Sequence, residues 1–104
     1  MRVLIVENEI YLAQSIASKL VEFGYSCEIA THIFEALRDD RYDVVLLSTS
    51  FNSNEFYKVI ENHKNSIIIL LISYISSDTV SNPMKAGVSD YIQKPFMIEE
   101  LVRK

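Results

Sequence analysis

The stretch YDVVLLSTSF, residues 42–51, is the segment that best indicates the fold class of this chain. Its centre, Val44 to Leu47, is apolar throughout, half of it is β-branched, and polar residues bound it on both sides. A short uninterrupted apolar run is typical of a strand that is buried on both faces, as in a parallel sheet. The run stops at the hydroxyl of Ser48, so the chemistry of that hydroxyl is the first functional question.

Four more runs are predicted to be strands, and helical patterns separate them. The runs are RVLIVE (2–7), YSCEIA (25–30), SIIILLIS (66–73) and DYIQ (90–93). The helical patterns cover residues 10–23, closed by Gly24, and then 31–37, 55–62, 78–86 and 97–104. Strands that alternate with helices predict an α/β fold with a doubly wound, five-stranded parallel sheet. The last helix has only about two turns, so we expect it to be truncated.

Composition and charge limit the classes of function. The chain has 104 residues, 49% of them hydrophobic, which predicts one ordered domain with a real core. A net charge of -4 argues against this segment binding a nucleic-acid backbone. The longest uncharged apolar run, Ile67 to Ile72, is too short to cross a membrane, no signal peptide is visible, and Cys27 has no partner for an intrachain disulfide. We therefore expect a soluble, cytoplasmic domain.

Polar side chains follow four of the predicted strands, at the end where each strand stops. They are Glu7, Asn8 and Glu9 after the first strand, Ser48 and Thr49 after the third, Ser73 after the fourth, and Lys94 after the fifth. In an open parallel sheet, ligands bind outside the carboxyl ends of the strands. The sequence therefore predicts a polar cluster at this edge of the sheet.

The order of these segments resembles that of the receiver domains of bacterial two-component response regulators. The matching segments are VLIVENE, DVVLLS, LLIS, AGVSDYIQKPF and EEL, which together cover the whole chain, and AGVSDYIQKPF is the most specific of them. The resemblance implies a flavodoxin-like sheet with strand order 2-1-3-4-5. Residues 1–104 would form one receiver-like regulatory domain, and the truncated last helix suggests a C-terminal DNA-binding domain that is absent from this chain.

The resemblance also implies a site. In working receivers two acids hold Mg²⁺, an aspartate takes a phosphoryl group from a histidine kinase, a hydroxyl bonds that group and a lysine completes the cage. The corresponding residues here are Glu7 and Asn8 for the acids, Ser48 for the acceptor, Ser73 for the hydroxyl, Lys94 for the lysine and Tyr91 for the aromatic that switches. Ser73 requires a one-residue deletion, and without it Ile72 takes the place.

Two of these positions depart from the family's pattern. Mg²⁺ binds mainly through carboxylates, and Asn8 and Ser48 have none, so we expect Mg²⁺ binding to be weak or absent and no cofactor to be required. Glu9 carries a carboxylate but lies two positions along, on the first turn of the predicted helix. The resemblance therefore implies an atypical, orphan receiver that lacks the phospho-acceptor aspartate.

Ser48 also lacks what a nucleophilic serine needs. A hydroxyl is a weak nucleophile unless a general base lies within hydrogen-bond reach, and neither His32 nor His63 maps to this loop end. We predict a silent site in which Lys94 pairs with Glu7 or Glu9 and bonds the Ser48 hydroxyl, so that one conformation is held permanently. Nonstandard phosphorylation of Ser48 is the weaker alternative.

Many receivers of transcription factors pair through the fourth helix, the fifth strand and the fifth helix. On that face we expect a homodimer that relies more on apolar contacts than on salt bridges, because the basic partner expected on the fourth helix is replaced by an apolar residue. The predicted apolar residues are Ile75, Val80, Met84 and Leu101, and the charged ones are Asp90, Glu100 and Lys104. The alternative is that these charges are only solvated, as most surface charges are.

These observations predict a receiver that is not an enzyme and acts without phosphorylation. It would position or dimerise the absent DNA-binding domain in order to regulate transcription or another DNA transaction. A free-standing module that docks a protein partner on the same face is the second interpretation. A flavodoxin-like binder that uses STSFNSN (48–54) as a phosphate cradle ranks last, because that loop has no glycine to let backbone amides approach a phosphate.

Overall fold

The computed structural model describes residues 1–51, 55–73 and 86–103. The strands are β1 (Arg2–Val6), β2 (Ser26–Ala30), β3 (Val44–Ser48), β4 (Ile67–Ile72) and β5 (Asp90–Gln93). The helices are α1 (Ile10–Glu22), α2 (Glu55–Asn62) and α3 (Ile98–Val102), with a 3₁₀ helix over Ile33–Ala36. The five predicted strands and the predicted helix over residues 55–62 are confirmed. Residues 78–85 of another predicted helix lie outside the described residues.

The five strands form one parallel sheet in the order β2-β1-β3-β4-β5, as predicted. Val6 pairs with Ala30 on one side and with Leu47 on the other, and Ser48 pairs with Leu71. This register brings the residues that follow β1, β3, β4 and β5 to one edge of the sheet. The polar cluster predicted from the strand ends is therefore assembled by the topology.

The core lies on both faces of the sheet because the strands are apolar at successive positions. In β1, Leu4 and Val6 pack with the 3₁₀ helix and α2, whereas Val3 and Ile5 pack with α1 and α3. All four side chains are buried. A strand covered on both faces needs a continuous apolar run, which is the pattern that predicted a parallel sheet.

The helix ends follow local chemistry. Gly24 has φ +93°, a conformation that suits a residue without a Cβ, and its N–H donates to the carbonyl of Val21 at 2.9 Å to close α1 as predicted. The helix predicted over residues 31–37 is only a four-residue 3₁₀ helix, in which Glu35 accepts from the N–H of His32 at 3.0 Å. Within the described ranges, no helix has the length and apolar character needed to cross a membrane.

Candidate functional site

A buried ion pair joins the ends of β1 and β5. The Lys94 ammonium donates to Glu7 Oε1 at 2.5 Å, and the side chains are 15% and 0% exposed, respectively. The Lys94 N–H donates to the carbonyl of Ile72 at 2.8 Å, which fixes the backbone from which the side chain extends, and the Lys94–Pro95 peptide bond is cis. Lys94 was predicted to pair with Glu7 or Glu9, and the acid that it pairs with is Glu7.

The second carboxylate oxygen of Glu7 also has a partner. The backbone N–H of Glu9 donates to Glu7 Oε2 at 2.9 Å. Glu9 was expected on the first turn of the helix, but it precedes α1 in an extended conformation, and its side chain is exposed at the rim of a cleft. Glu9 therefore contributes its backbone amide to the buried pair, while Glu7 is the acid that contacts Lys94.

The hydroxyl of Ser48 has two donors directed at it. Lys94 Nζ donates at 3.1 Å, and the backbone N–H of Ser50 donates at 3.2 Å. A hydroxyl oxygen has two lone pairs, so these donors occupy both of them. The predicted bond between Lys94 and the Ser48 hydroxyl is confirmed, and both acceptor positions of this oxygen are occupied by donors from the protein.

Because both lone pairs of the Ser48 oxygen accept hydrogen bonds, the direction of the remaining hydrogen bonds is fixed. The oxygens of Ser48 and Ser50 are 2.6 Å apart, and because Ser48 accepts twice already, it must donate its own proton to Ser50. Ser50 then donates to Asn8 Oδ1 at 2.7 Å. A single chain of donors therefore runs from Lys94 through Ser48 and Ser50 to Asn8.

An open cleft lies over this chain. It is lined by Glu7, Asn8, Glu9, Leu12, Ser50, Ser73, Lys94, Pro95 and Phe96. Ser48 does not line the cleft, and its side chain is 0% exposed. A ligand in the cleft would meet the hydroxyl of Ser50 before that of Ser48.

Ser73 lies at the cleft directly after β4, whereas Ile72 is the last residue of β4 and is fully buried. Of the two candidate positions for the family's hydroxyl, only Ser73 borders the site. The N–H of Ser73 donates to Thr49 Oγ1 at 3.3 Å, and Thr49 Oγ1 donates to the carbonyl of Leu71 at 3.3 Å. Thr49 thus bonds across to β4 and belongs to a separate set of contacts from the Ser48 chain.

The described contacts give Ser48 no general base. Its hydroxyl bonds to Lys94 and Ser50, neither of which accepts a proton from it as a base would. His63 is buried elsewhere, with Nε2 donating to the carbonyl of Ala36 at 2.6 Å, and His32 is exposed where the 3₁₀ helix begins. The sequence-based expectation that neither histidine serves Ser48 agrees with these positions.

The donor set does not suit Mg²⁺. Glu7 already uses one oxygen for an ammonium and the other for an amide, and the nearby Ser48 and Asn8 are neutral. Among the described residues, no three His, Cys, Asp or Glu side chains group in a way that could hold a metal ion. Mg²⁺ requires several oxygen ligands and binds mainly through carboxylates, so these residues fit the ion poorly.

The predicted output face is only partly described. Tyr91 lies in β5 with its side chain 37% exposed, and its N–H is bonded by Asp90 Oδ1 at 2.8 Å. Glu100 accepts from the N–H of Met97 at 3.4 Å at the start of α3, so it serves a local cap. Ile75, Val80, Met84 and Lys104 lie outside the described residues.

Leu101 requires a correction. It was expected to supply an apolar contact to a second copy, but its side chain is only 4% exposed and packs in the core with α1 and the sheet. It does not face a partner in this conformation, because α3 turns Leu101 inward. Sequence spacing alone did not distinguish the inner face of a helix with barely more than one turn from its outer face.

Ser50 is the functional candidate that sequence reasoning missed. The signal was the run of three hydroxyls, Ser48-Thr49-Ser50, but only the fold shows that the first and third act together while the second bonds to β4.

The comparison with protein families gives one match over nearly the whole chain. Residues 3–104 match the response regulator receiver domain. A receiver domain from a Francisella response regulator has a TM-score of 0.83 and 28% identity, and the match covers 98% of this chain and 90% of that one. A CheY-like receiver from Methanospirillum hungatei has a TM-score of 0.87 at 23% identity, covers 98% of this chain and 87% of that one, and supports the fold alone.

Curated relatives include the transcriptional regulatory proteins CrdR of Helicobacter pylori and DltR of Streptococcus agalactiae. They are 28% and 31% identical to this chain and match 96% and 100% of it. The chain spans about half the length of these relatives, 51% and 50%. The chain belongs to the receiver domain family of two-component response regulators and is homologous to transcriptional response regulators.

Proposed function

We propose that this chain is the phosphorylation-independent receiver of an atypical, orphan response regulator. The observation that carries the proposal is the position of the Lys94 ammonium, which contacts Glu7 and Ser48 together. In the family, the corresponding lysine meets a phosphoryl group on an aspartate. Here its contacts are already made within the protein, so the arrangement needs no phosphoryl group to form.

The chemistry of Ser48 supports the same proposal. Its hydroxyl is buried, its lone pairs are both used, and no base accompanies it among its described partners. A serine without a base is a weak nucleophile. Even if it were phosphorylated, the product would be a stable ester and not the labile acyl phosphate with which such a domain turns itself off, so Ser48 phosphorylation remains the weaker alternative.

The relatives suggest the output. Because they are transcriptional regulators about twice as long as this chain, we infer a C-terminal DNA-binding domain outside it. The receiver would position or dimerise that domain in the cytoplasm, without catalysis of its own. Its net charge of -4 does not suit contact with DNA, so DNA binding would belong to the other domain alone.

With Leu101 buried, the dimer would depend on the fifth strand and on residues such as Ile75, Val80 and Met84. If analytical ultracentrifugation shows that the chain stays monomeric at high micromolar concentration, the proposed dimer is wrong.

The first experiment records the backbone amide chemical shifts of the labelled chain during addition of Mg²⁺ and then acetyl phosphate. We expect no saturable change at Glu7, Ser48, Tyr91 or Lys94. Mg²⁺ lacks the carboxylate ligands that it needs, and acetyl phosphate lacks an aspartate to accept its phosphoryl group. The matched control is the double variant Asn8→Asp/Ser48→Asp, which restores the two carboxylates and should bind Mg²⁺. Saturable shifts in the wild-type chain that spread to Tyr91 would mean that the site still works as a switch.

A further inference from the structure

Ser50 bonds two loops to one another beyond the ends of the paired strands β1 and β3. It lies in the loop after β3, and its hydroxyl donates to Asn8 Oδ1 at 2.7 Å in the loop after β1. The same hydroxyl accepts from Ser48 at 2.6 Å, and the Ser50 N–H donates back to Ser48 Oγ at 3.2 Å. One exposed serine therefore closes a small ring with Ser48 and also reaches across the edge of the sheet.

The position of Ser50 explains the inaccessibility of Ser48. Ser50 lines the cleft, whereas Ser48 beneath it is 0% exposed. Lys94 covers Ser48 from the end of β5, and Ser50 covers it from the following loop. Both contacts come from polar groups, so the cover is made by hydrogen bonds and depends on the hydroxyl of Ser50.

We propose that Ser50 is a positioning residue of this site, whose hydroxyl ties the loop after β3 to the loop after β1 and shields Ser48 from the cleft. The inference deepens the proposed function and rests on it: a site that works without phosphorylation needs another device to order its loops. The Ser50 to Asn8 bond supplies a direct link between the two loops, without a bound cation or phosphoryl group. Because Asn8 adjoins Glu9, the link also steadies the N–H that bonds the buried Glu7 carboxylate.

The test compares amide hydrogen exchange in the wild-type chain and in Ser50→Ala, with no Mg²⁺ and no phosphodonor present. Removal of the hydroxyl takes the acceptor from Ser48 and the donor from Asn8. We expect the Glu9 amide, which bonds Glu7, to exchange about tenfold faster. A lost hydrogen bond lowers the free energy of local opening by about 1 kcal/mol, which corresponds to a change of that order in the exchange rate. Ser50→Thr keeps the hydroxyl and should restore exchange to within about twofold of the wild type.

Thr49→Val is the matched control. It removes a neighbouring hydroxyl from the same loop, but that hydroxyl bonds to β4 and accepts from the N–H of Ser73. The Ser73 amide should then exchange faster while the Glu9 amide keeps the wild-type rate. This contrast separates the specific link from a general loosening of the loop.

Two results would overturn the inference. One is exchange of the Glu9 amide that changes less than twofold in Ser50→Ala. The other is a uniform acceleration across the sheet, which would mean only that Ser50 stabilises the whole domain. The acetyl phosphate experiment decides the proposed function separately. A silent wild-type site with an unaffected Ser50→Ala loop would refute the link alone, whereas a responsive wild-type site with a loosened loop would refute phosphorylation independence alone.

Discussion

Two ion pairs at opposite ends of β1 have nearly the same length but different surroundings. Arg2, the first residue of β1, bonds Glu28 at 2.6 Å with side chains 47% and 44% exposed. Glu7, just past the other end, bonds Lys94 at 2.5 Å with side chains 0% and 15% exposed. Exposed pairs contribute little to stability because water and salt screen them, whereas breaking a buried pair leaves a charge in a medium that solvates it poorly. Burial, and not distance, separates the two.

The exposed pair belongs to a surface network. Arg2 also donates to the carbonyl of Arg41 at 2.9 Å and lies over the ring of Tyr42 at 4.7 Å, and Arg38 reaches Glu28 from the far side at 3.4 Å. These contacts hold the segment before β3 against the edge of the sheet. The charged side chains of this network can also bond to water, so the fold does not depend on any one of them being ionised.

The largest effect should come from breaking the buried pair at its cation. Lys94→Met leaves the fully buried Glu7 with only the Glu9 amide, and we expect a loss of roughly 4 kcal/mol in the free energy of unfolding. Glu7→Gln should cost less, about 2 kcal/mol, because Lys94 is partly exposed and its flexible stem can reach water. Urea unfolding with an unchanged m-value measures both.

Glu22→Gln is the control for this prediction, since it removes an acid from the exposed pair with Lys19. It should change stability by under about 0.5 kcal/mol. The double variant Glu7→Gln/Lys94→Met should lose less than the sum of the single losses, by about 1 kcal/mol or more. If the two losses of unfolding free energy are strictly additive, Glu7 and Lys94 do not interact, and the buried pair is no more important to stability than the exposed one.

A middle-sized effect is expected from Ser48→Ala, which keeps the ion pair but removes its neutral neighbour. Lys94 loses one acceptor and the Ser50 amide loses its partner, so we expect a loss of about 1–2 kcal/mol in urea unfolding. Ser26→Ala, at an exposed position in β2, should be nearly neutral. A neutral Ser48→Ala variant would mean that the ion pair alone holds this end of the sheet.

The smallest effect belongs to the exposed pair and depends on pH. The hydrogen bond from Arg2 lowers the pKa of Glu28 below its ordinary value of 4.5. Since the folded-state pKa lies below the unfolded one, the contribution to stability is present at neutral pH and is lost as the pH falls through the folded-state value. The stability difference between the wild type and Glu28→Gln should therefore be small at pH 7 and should close on acidification below 4.5 or in high salt. A difference that persists in acid would have another origin.

Most of the fold was predictable because its signals are local. Apolar runs such as Ile67–Ile72 predict buried strands, the period of α2 predicts its full extent, and Gly24 ends α1 by a conformation that few other residues adopt. An ion pair of Lys94 with an acid after β1 was also predictable, since strand ends meet at one edge and opposite charges pair there, but the choice between Glu7 and Glu9 was not.

The remainder depends on details that spacing does not encode. Ser50 joins the site only because the loop after β3 turns back over its own strand, which a run of three hydroxyls does not specify. Leu101 is buried by the docking of α3, and the 3₁₀ helix ends at Leu37, which has φ -86° and ψ 69°. The burial of Leu101 depends on contacts with α1 and the sheet, whose residues are far away in the sequence.

The pairing of one buried acid with one ammonium has a consequence for the electrical balance of the domain. A site with three clustered carboxylates and one lysine carries surplus negative charge, which repels itself until a cation neutralises it. Here Glu7 and Lys94 cancel, and Asn8 and Ser48 contribute no charge. Among the described residues, the carboxyl edge of this sheet is neutral at its buried centre, so the buried acid already has its counter-charge within the chain.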